Sequence, residues 1–547
     1  MNRAKGMLDG LEAHNCAIVE EWLGQLEQAL IQQDSQSLNA LFLSQSYWRD
    51  VLALTWNIQT LCGAETISDA ISERSKDAGL SNIQVELVDM PPRQITRVGT
   101  ETIEAFFIFK TRVGRGRGIV RLCPDSADGG RYKAWTFLTA LEELFGYEET
   151  IGANRPTGKS YSRDFYGPNW LDQRQEAEAY RERDPTTLVV GGGQAGLAAA
   201  ARLTQLGIDT LIVDKHKRIG DNWRKRYHAL TLHNQVQVNH MPYMPFPPTW
   251  PAYVPKDKLA NWFEAYVEAL ELNYWPQTEL VHGAYDEIAQ HWTVTLRSCD
   301  GTERELRPRD IIMATGVSGI ANRPNIPTLD EFQGRVMHSS EYQDSDDYTG
   351  KKAIVIGTGN SGHDIAQDLC SSGADVTMVQ RSPTLVVNIE PSAQLPYGLY
   401  DEGPSLENCD FITLSMPTPL LRKAHVRFTE QSKVVDKDLL ADLEKIGFKL
   451  DFGEDGTGWQ FKYLTRGGGY YFNVGCSDML IEGKIRLIQF DDIVRFTADG
   501  VRLMSGDTLA ADLIVLSTGY RPQEELVEKL FGAVVAERVG PIWGFGD

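Results

Sequence analysis

The spacing of apolar side chains changes once within the first third of the chain. In LEAHNCAIVEEWLGQLEQAL (residues 11–30) they recur every three or four positions, the stripe of an amphipathic helix. SLNALFLSQSYWRDVLALTW (37–56) and TISDAISERS (66–75) continue in the same manner and predict further helix. Beyond residue 80 the period shortens. NIQVELVDM, TETIEAFFIFKTRV, GRGIVRLCP and YKAWTFLTAL are strand-like runs divided by Pro, Gly and Asp turns. Helices followed by antiparallel strands predict an α+β domain over residues 1–150.

Residues 151–186 carry Pro, Gly and Ser breakers and then a short charged helix, and read as a linker. At Thr187 the pattern changes again. LVVGGG is a short buried strand running into a glycine turn, QAGLAAAARLTQLG a helix with small residues at its start, and DTLIVD a second strand. The same β-α-β unit recurs as KKAIVIGTG, NSGHDIAQDLCSSG and DVTMVQ. Two similar closers, RDIIMATGV and ADLIVLSTGYRP, each deliver a strand into a Thr-Gly turn. The expected fold class is therefore α/β, two Rossmann-like domains behind an α+β domain. The expected boundaries are 187–345 for the first, 346–508 for the second and 509–547 for a return to the first.

A length of 547 residues calls for several domains, and the apolar and charged fractions of 42% and 24% are globular. Net charge is −21, which disfavours nucleic acid and anionic membrane as partners. The seven cysteines form no C-x-x-C pair, which fits reduced thiols in a cytoplasmic protein and excludes a redox-active disulfide of that type. No metal-ligand spacing stands out, no signal-peptide pattern opens the chain, and no apolar run is long enough to span a bilayer.

Both glycine turns have the spacing G-x-G-x-x-G, as Gly191, Gly193 and Gly196 and as Gly357, Gly359 and Gly362. Between strand and helix, such glycines permit a tight turn, close approach of backbone to a pyrophosphate, and packing of the helix on the strand. The second strands end differently. Asp214 follows Gly191 by 23 residues and suits the two hydroxyls of an adenosine ribose, as in FAD. Arg381 and Ser382 hold the matching place in the second unit, where a guanidinium suits the 2′-phosphate of NADPH; a plain surface charge is the other reading of Arg381. Asn360 and Ser361 stand ready to donate to phosphates.

Taken in order, GGGQAGLAAA, GDNWRKRYHALTLHN, ATGV, GTGNSGHDIA and STGYRP resemble the class B flavin-dependent monooxygenases, over residues 187–547. FQGRVMHSSEY resembles the family motif F-x-G-x-x-x-H-x-x-x-(Y/F), through Phe332, Gly334, His338 and Tyr342. Tyr342-Gln343 departs from the Trp followed by Pro or Asp of the Baeyer–Villiger subgroup, and MPYMPFPPTWPAYVP is similar to a segment of the heteroatom-oxidising and YUCCA-type members. The resemblance implies FAD and NADPH as cofactors. It also implies oxygenation of a small molecule by dioxygen through a flavin C4a-(hydro)peroxide, with a heteroatom, indolic or 2-oxo acid substrate. It places Trp223 and Arg224 along FAD, with core packing as the alternative for Trp223, and an interdomain role on His338. Asn234, or His233 one residue before it, falls where the family keeps an asparagine near the reacting face of the flavin. Two alternatives stay open: an uncoupled NADPH oxidase, and a non-catalytic ligand-binding or dimerising scaffold. The second arises because the family continues beyond the point matched by GPIWGFGD, an absence expected to weaken FAD binding. The first domain resembles the NTF2-like (SnoaL-like) cone in order and length of its elements, and a homodimer is an open expectation.

Overall fold

A computed structural model describes residues 10–157 and 165–544. The chain forms two compact units, Met1–Glu148 with Tyr397–Ala424, and Glu149–Pro396 with His425–Asp547.

The first unit is a mixed α+β domain. Its seven strands are β1 (Phe42–Val51), β2 (Ile58–Cys62), β3 (Ser81–Val85), β4 (Arg93–Arg97), β5 (Thr100–Lys110), β6 (Gly114–Asp125) and β7 (Arg131–Leu144). They run in the order β2-β1-β7-β6-β5-β3, with β4 also on β5. All neighbours are antiparallel except β1 and β7, which are parallel. The helical reading of residues 42–51 is thus corrected to a strand. Ser46, Trp48 and Asp50 form its buried face at period two, and two polar residues among the three hide that period in the sequence. Trp48 Nε1 donates to Thr139 Oγ1 at 2.9 Å, and Thr139 Oγ1 donates to Asp50 at 2.6 Å, so this set is structural.

Strand β5, between β6 on one side and β3 and β4 on the other, is buried continuously from Thr102 to Phe107, which requires cover on both faces. The helix Gly10–Gln32 covers one face, sinking Val19, Trp22, Leu23 and Leu26 at helical spacing against Ile103, Ala105 and Phe107. Residues of the 397–424 segment cover the other. Phe411 and Ile412 pack on Phe106, Ile119 and Leu138, and Leu420 packs on Cys123 and Trp135.

Among the described residues, the second unit holds two larger parallel sheets, of four and five strands. One has the order Asn273–Trp275, Thr210–Val213, Thr187–Val190, Asp310–Met313. The other has the order Arg335–His338, Leu513–Leu516, Lys352–Ile356, Asp375–Gln380, Ile485–Gln489. Residues such as Leu188, Val189, Leu211, Ile212, Val355 and Val376 are fully buried, as strands covered on both faces by helices must be. Strand Leu513–Leu516 lies inside the second sheet, so the chain rejoins the first part only beyond it. There Leu530 and Phe531, from the helix Glu524–Phe531, pack with Leu188, Val213 and Leu280.

Candidate dinucleotide and active site

The first sheet delivers strand Thr187–Val190 into the turn at Gly191, and helix Gln194–Gln205 starts at Gly193. Gly191 has φ +110°, and a Cβ there would lie 2.4 Å from the Ala314 carbonyl oxygen; one on Gly196 would lie 2.0 Å from the Gly191 carbonyl. No side chain caps the helix, which leaves its first N–H groups for an anion. Beside the turn, the Asn222 amide nitrogen, a donor, lies 3.0 Å from a notional Cβ on Gly193. These features fit a pyrophosphate.

Asp214, at the end of the neighbouring strand, reaches back to the loop. Its carboxylate accepts from the Gly192 N–H at 2.7 Å and the His216 N–H at 2.8 Å, and pairs with His216 Nδ1 at 2.7 Å. Burial opposes its ionisation, yet the His216 and Gly192 bonds outweigh burial and hold its pKa below the usual carboxylate value. Trp223 Nε1 donates to Gln194 Oε1 at 3.2 Å, which brings the indole to the first turn of the loop helix. Arg224 turns elsewhere, toward Asp221 at 2.8 Å and Asn261 at 3.2 Å.

The second loop repeats the construction. Gly357 has φ +116° with Ser517 O 2.3 Å from a notional Cβ, and a Cβ on Gly362 would sit 2.1 Å from the Gly357 carbonyl. Helix Asn360–Ser371 starts at Gly359, again without a side-chain cap. Ser517 Oγ is buried beside this turn without a hydrogen-bond partner among the described residues. Asn360 Oδ1 accepts from the Phe472 N–H at 3.1 Å, leaving its amide hydrogens as donors, while Ser361 is partly exposed on the first turn. Arg381 and Ser382 are exposed just past strand Asp375–Gln380, and Arg381 has no ion-pair partner among the described residues. Gln380 is spent on the backbone of Lys449, with bonds of 2.8 Å in each direction.

The motif segment joins these parts. Phe332 is buried, and Gly334 lies so close that a Cβ would meet the Phe332 ring at 2.3 Å. His338 is fully buried. Its Nε2 lies 2.9 Å from the Gly519 carbonyl, its Nδ1 lies 2.9 Å from Ser340 Oγ, and the ring meets Tyr520 edge-on. Both ring nitrogens are engaged in hydrogen bonds. The Tyr342 hydroxyl donates to Asp368 at 2.6 Å.

One turn earlier on the same helix, Asp364 accepts from the Tyr227 hydroxyl at 2.5 Å. Burial raises the pKa of Asp364. Sequence reasoning missed this pair of carboxylates, Asp364 and Asp368, each taking a tyrosine hydroxyl from a distant segment. Their i, i+4 spacing was the available signal.

Asn234 lies on strand Thr231–Gln235, partly buried; its carbonyl accepts from Asn239 Nδ2 at 3.0 Å, and its side chain has no hydrogen bond among the described residues. His233 packs edge-on against Phe472 with centroids 5.6 Å apart, and burial lowers its pKa, so the ring is neutral near pH 7. Thus Asp364, Tyr227, His233 and Phe472 bring strand Thr231–Gln235 and the second loop helix together. Among the described residues no group of His, Cys, Asp and Glu is placed to hold a metal, and no helix is long and apolar enough to cross a membrane.

Comparison with known proteins finds the following similarities. A family model described as pyridine nucleotide-disulphide oxidoreductase matches residues 188–397. The indole-3-pyruvate monooxygenase YUCCA1 of Oryza sativa subsp. japonica is 32% identical over 356 residues, covering 64% of this chain and 80% of the relative. The probable indole-3-pyruvate monooxygenase YUCCA8 of Arabidopsis thaliana is 30% identical over 340 residues, covering 61% and 74%. A crystal structure of OTEMO in complex with FAD and NADP is 17% identical with a TM-score of 0.49, covering 66% of this chain and 77% of that one. The two glycine loops and these sequence relatives define the class as an FAD- and NAD(P)H-dependent oxidoreductase. From residue 188 onward, the chain belongs to the class B flavin-dependent monooxygenase family.

Proposed function

We propose that this protein uses NADPH and dioxygen to oxygenate a small molecule, and that an aromatic 2-oxo acid, the class named for its sequence relatives, is the first substrate to test. The observation that carries the reading is the contrast between two sterically equivalent loops, one ending in the ionised Asp214 and the other in the exposed Arg381. In this reading the first turn of Gln194–Gln205 binds the FAD pyrophosphate, and Asp214 accepts from its ribose. The first turn of Asn360–Ser371 binds the NADPH pyrophosphate, and Arg381 with Ser382 receives the 2′-phosphate. FAD, when bound, supplies the hydride acceptor and the activation of dioxygen. Tyr227 and Tyr342 orient the second loop helix, while His233 and Asn234 present a neutral polar edge beside it. The N-terminal domain we assign to the NTF2-like type, on its helix Gly10–Gln32 laid against one face of a largely antiparallel sheet.

The test is product analysis. With NADPH, FAD and a panel containing indole-3-pyruvate and an aryl sulfide, an oxygenated product forms in proportion to NADPH consumed. If NADPH is consumed and only hydrogen peroxide accumulates with every substrate, the oxygenase reading is wrong. An oxidised sulfide with untouched indole-3-pyruvate would refute the 2-oxo acid class alone.

A further inference from the structure

The first unit contains a segment that the sequence places in the middle of the second. The chain leaves the second unit after Pro396, packs in the first unit from Tyr397 to Ala424, and returns at His425. Within the first unit this segment lies on a face built to receive it. Glu104 is fully buried among Arg93, Arg97 and Arg121, three cations around one anion. Glu402 supplies the second carboxylate, bonding Arg97 at 2.8 Å and Arg93 at 3.2 Å. Alongside, Arg117 donates to Asn408 Oδ1 at 2.7 Å, and its guanidinium lies 4.5 Å from the Phe106 ring and 5.2 Å from the Phe411 ring. The two rings stack at 6.0 Å. Charge, hydrogen bonding and apolar packing therefore all select the same segment. Among the described residues of its own unit, the contacts on this sheet face come from this segment.

We propose that the N-terminal domain is an internal anchor: its sheet face is the binding surface for residues 397–424, and by seating them it fixes the two ends at which that segment rejoins the oxygenase. The ends matter because of what lies next to them in the second unit. Ser392, Pro396, His425, Phe428, Thr429 and Trp459 line one cleft. Trp459 packs edge-on against Phe472 at 4.8 Å, and Phe472 in turn meets His233 and bonds Asn360. Ser392 Oγ is buried there without a hydrogen-bond partner among the described residues. Seating 397–424 thus constrains both chain ends of a cleft two rings away from the residues assigned to the reacting site. That last link rests on the proposed function; the anchoring itself does not.

Hydrogen exchange measured by mass spectrometry on the full chain tests both parts. In the double variant Glu402→Ala, Phe411→Ala, amides of 399–420 are expected to exchange at least tenfold faster than in the wild type, and those of 425–432 severalfold faster. Exchange in the helix 194–205 and the FAD content stay unchanged. Arg115→Ala, a charge change elsewhere on the same domain, leaves all of these as in the wild type. If the double variant does not fold, Glu402→Gln alone still releases 399–420 by severalfold. Undiminished protection of 399–420 in either variant overturns the anchor. Release of 399–420 with no change in 425–432 overturns its effect on the cleft. A wild-type chain that binds no FAD would refute the proposed function while leaving the exchange result valid.

Discussion

Arg381 and Asp214 stand at equivalent ends of two equivalent β-α-β units, and their opposite charges make the most direct residue-level prediction. Arg381→Ala should weaken NADPH by about 10- to 100-fold, the range of a lost charge-assisted bond, while leaving NADH within about twofold. Steady-state KM values with both nucleotides check this, and equal losses would show that Arg381 does not read the 2′-phosphate. Tyr227→Phe should leave FAD content intact but weaken NADPH binding by about threefold to tenfold, read by fluorescence titration. It removes one neutral donor from the buried Asp364 on the second loop helix. Asp214 and Arg381 were legible in the sequence because their chemistry is fixed by distance along the chain from a glycine. Tyr227–Asp364 was not, since 137 residues separate the partners and neither quoted segment carries a spacing that pairs them.

At the scale of elements, the two loops succeed by the same steric means, close backbone approach at glycines with no room for a methyl. Gly191→Ala should abolish FAD retention, because its Cβ meets the Ala314 carbonyl and φ is positive. Purification of a colourless protein that still shows native circular dichroism is the expected result; a fully flavinated variant would contradict the account. These turns were readable because strand, glycine spacing and helix agree locally. The strand β1 was not, because Leu43, Tyr47 and Val51 also fit a helical stripe, and pairing with β2 and with β7, about 90 residues away, decides for strand. The cover on the other face of the N-terminal sheet was equally hidden, since it comes from a segment about 300 residues later.

At the scale of the molecule, two buried sets of ionisable groups make the units respond to acid in different ranges. In the second unit, burial lowers His363 from 6.5 to about 4, with its ring stacked on Tyr471 at 3.8 Å, and burial brings His425 to about 4 as well. The unfolded chain binds these protons first, so stability present above pH 6.5 fades as pH falls toward 4. In the first unit burial opposes the charge of Glu104, but Arg121, Arg97 and Arg93 overcome it and hold its pKa well below 4.5. That contribution is complete above pH 4.5 and is lost only below it. Thermal melts followed by flavin fluorescence should therefore weaken between pH 6.5 and 4, and His363→Phe should flatten that slope. Glu104→Gln should instead destabilise the first unit by about 3–5 kcal/mol at neutral pH, the cost of leaving Arg121 buried without its partner. Exchange or proteolysis confined to that unit reads the loss.

The central claim is that two dinucleotide loops in one unit serve one oxygen insertion, with NADPH as the electron source. The most direct test supplies the FAD-loaded protein with NADPH and ¹⁸O-labelled dioxygen, with an aromatic 2-oxo acid or an aryl sulfide present. The account predicts one labelled oxygen atom in the product for each NADPH oxidised, and Arg381→Ala should lower the rate at limiting NADPH. Complete recovery of the label as hydrogen peroxide, with no labelled product from either substrate, would contradict it.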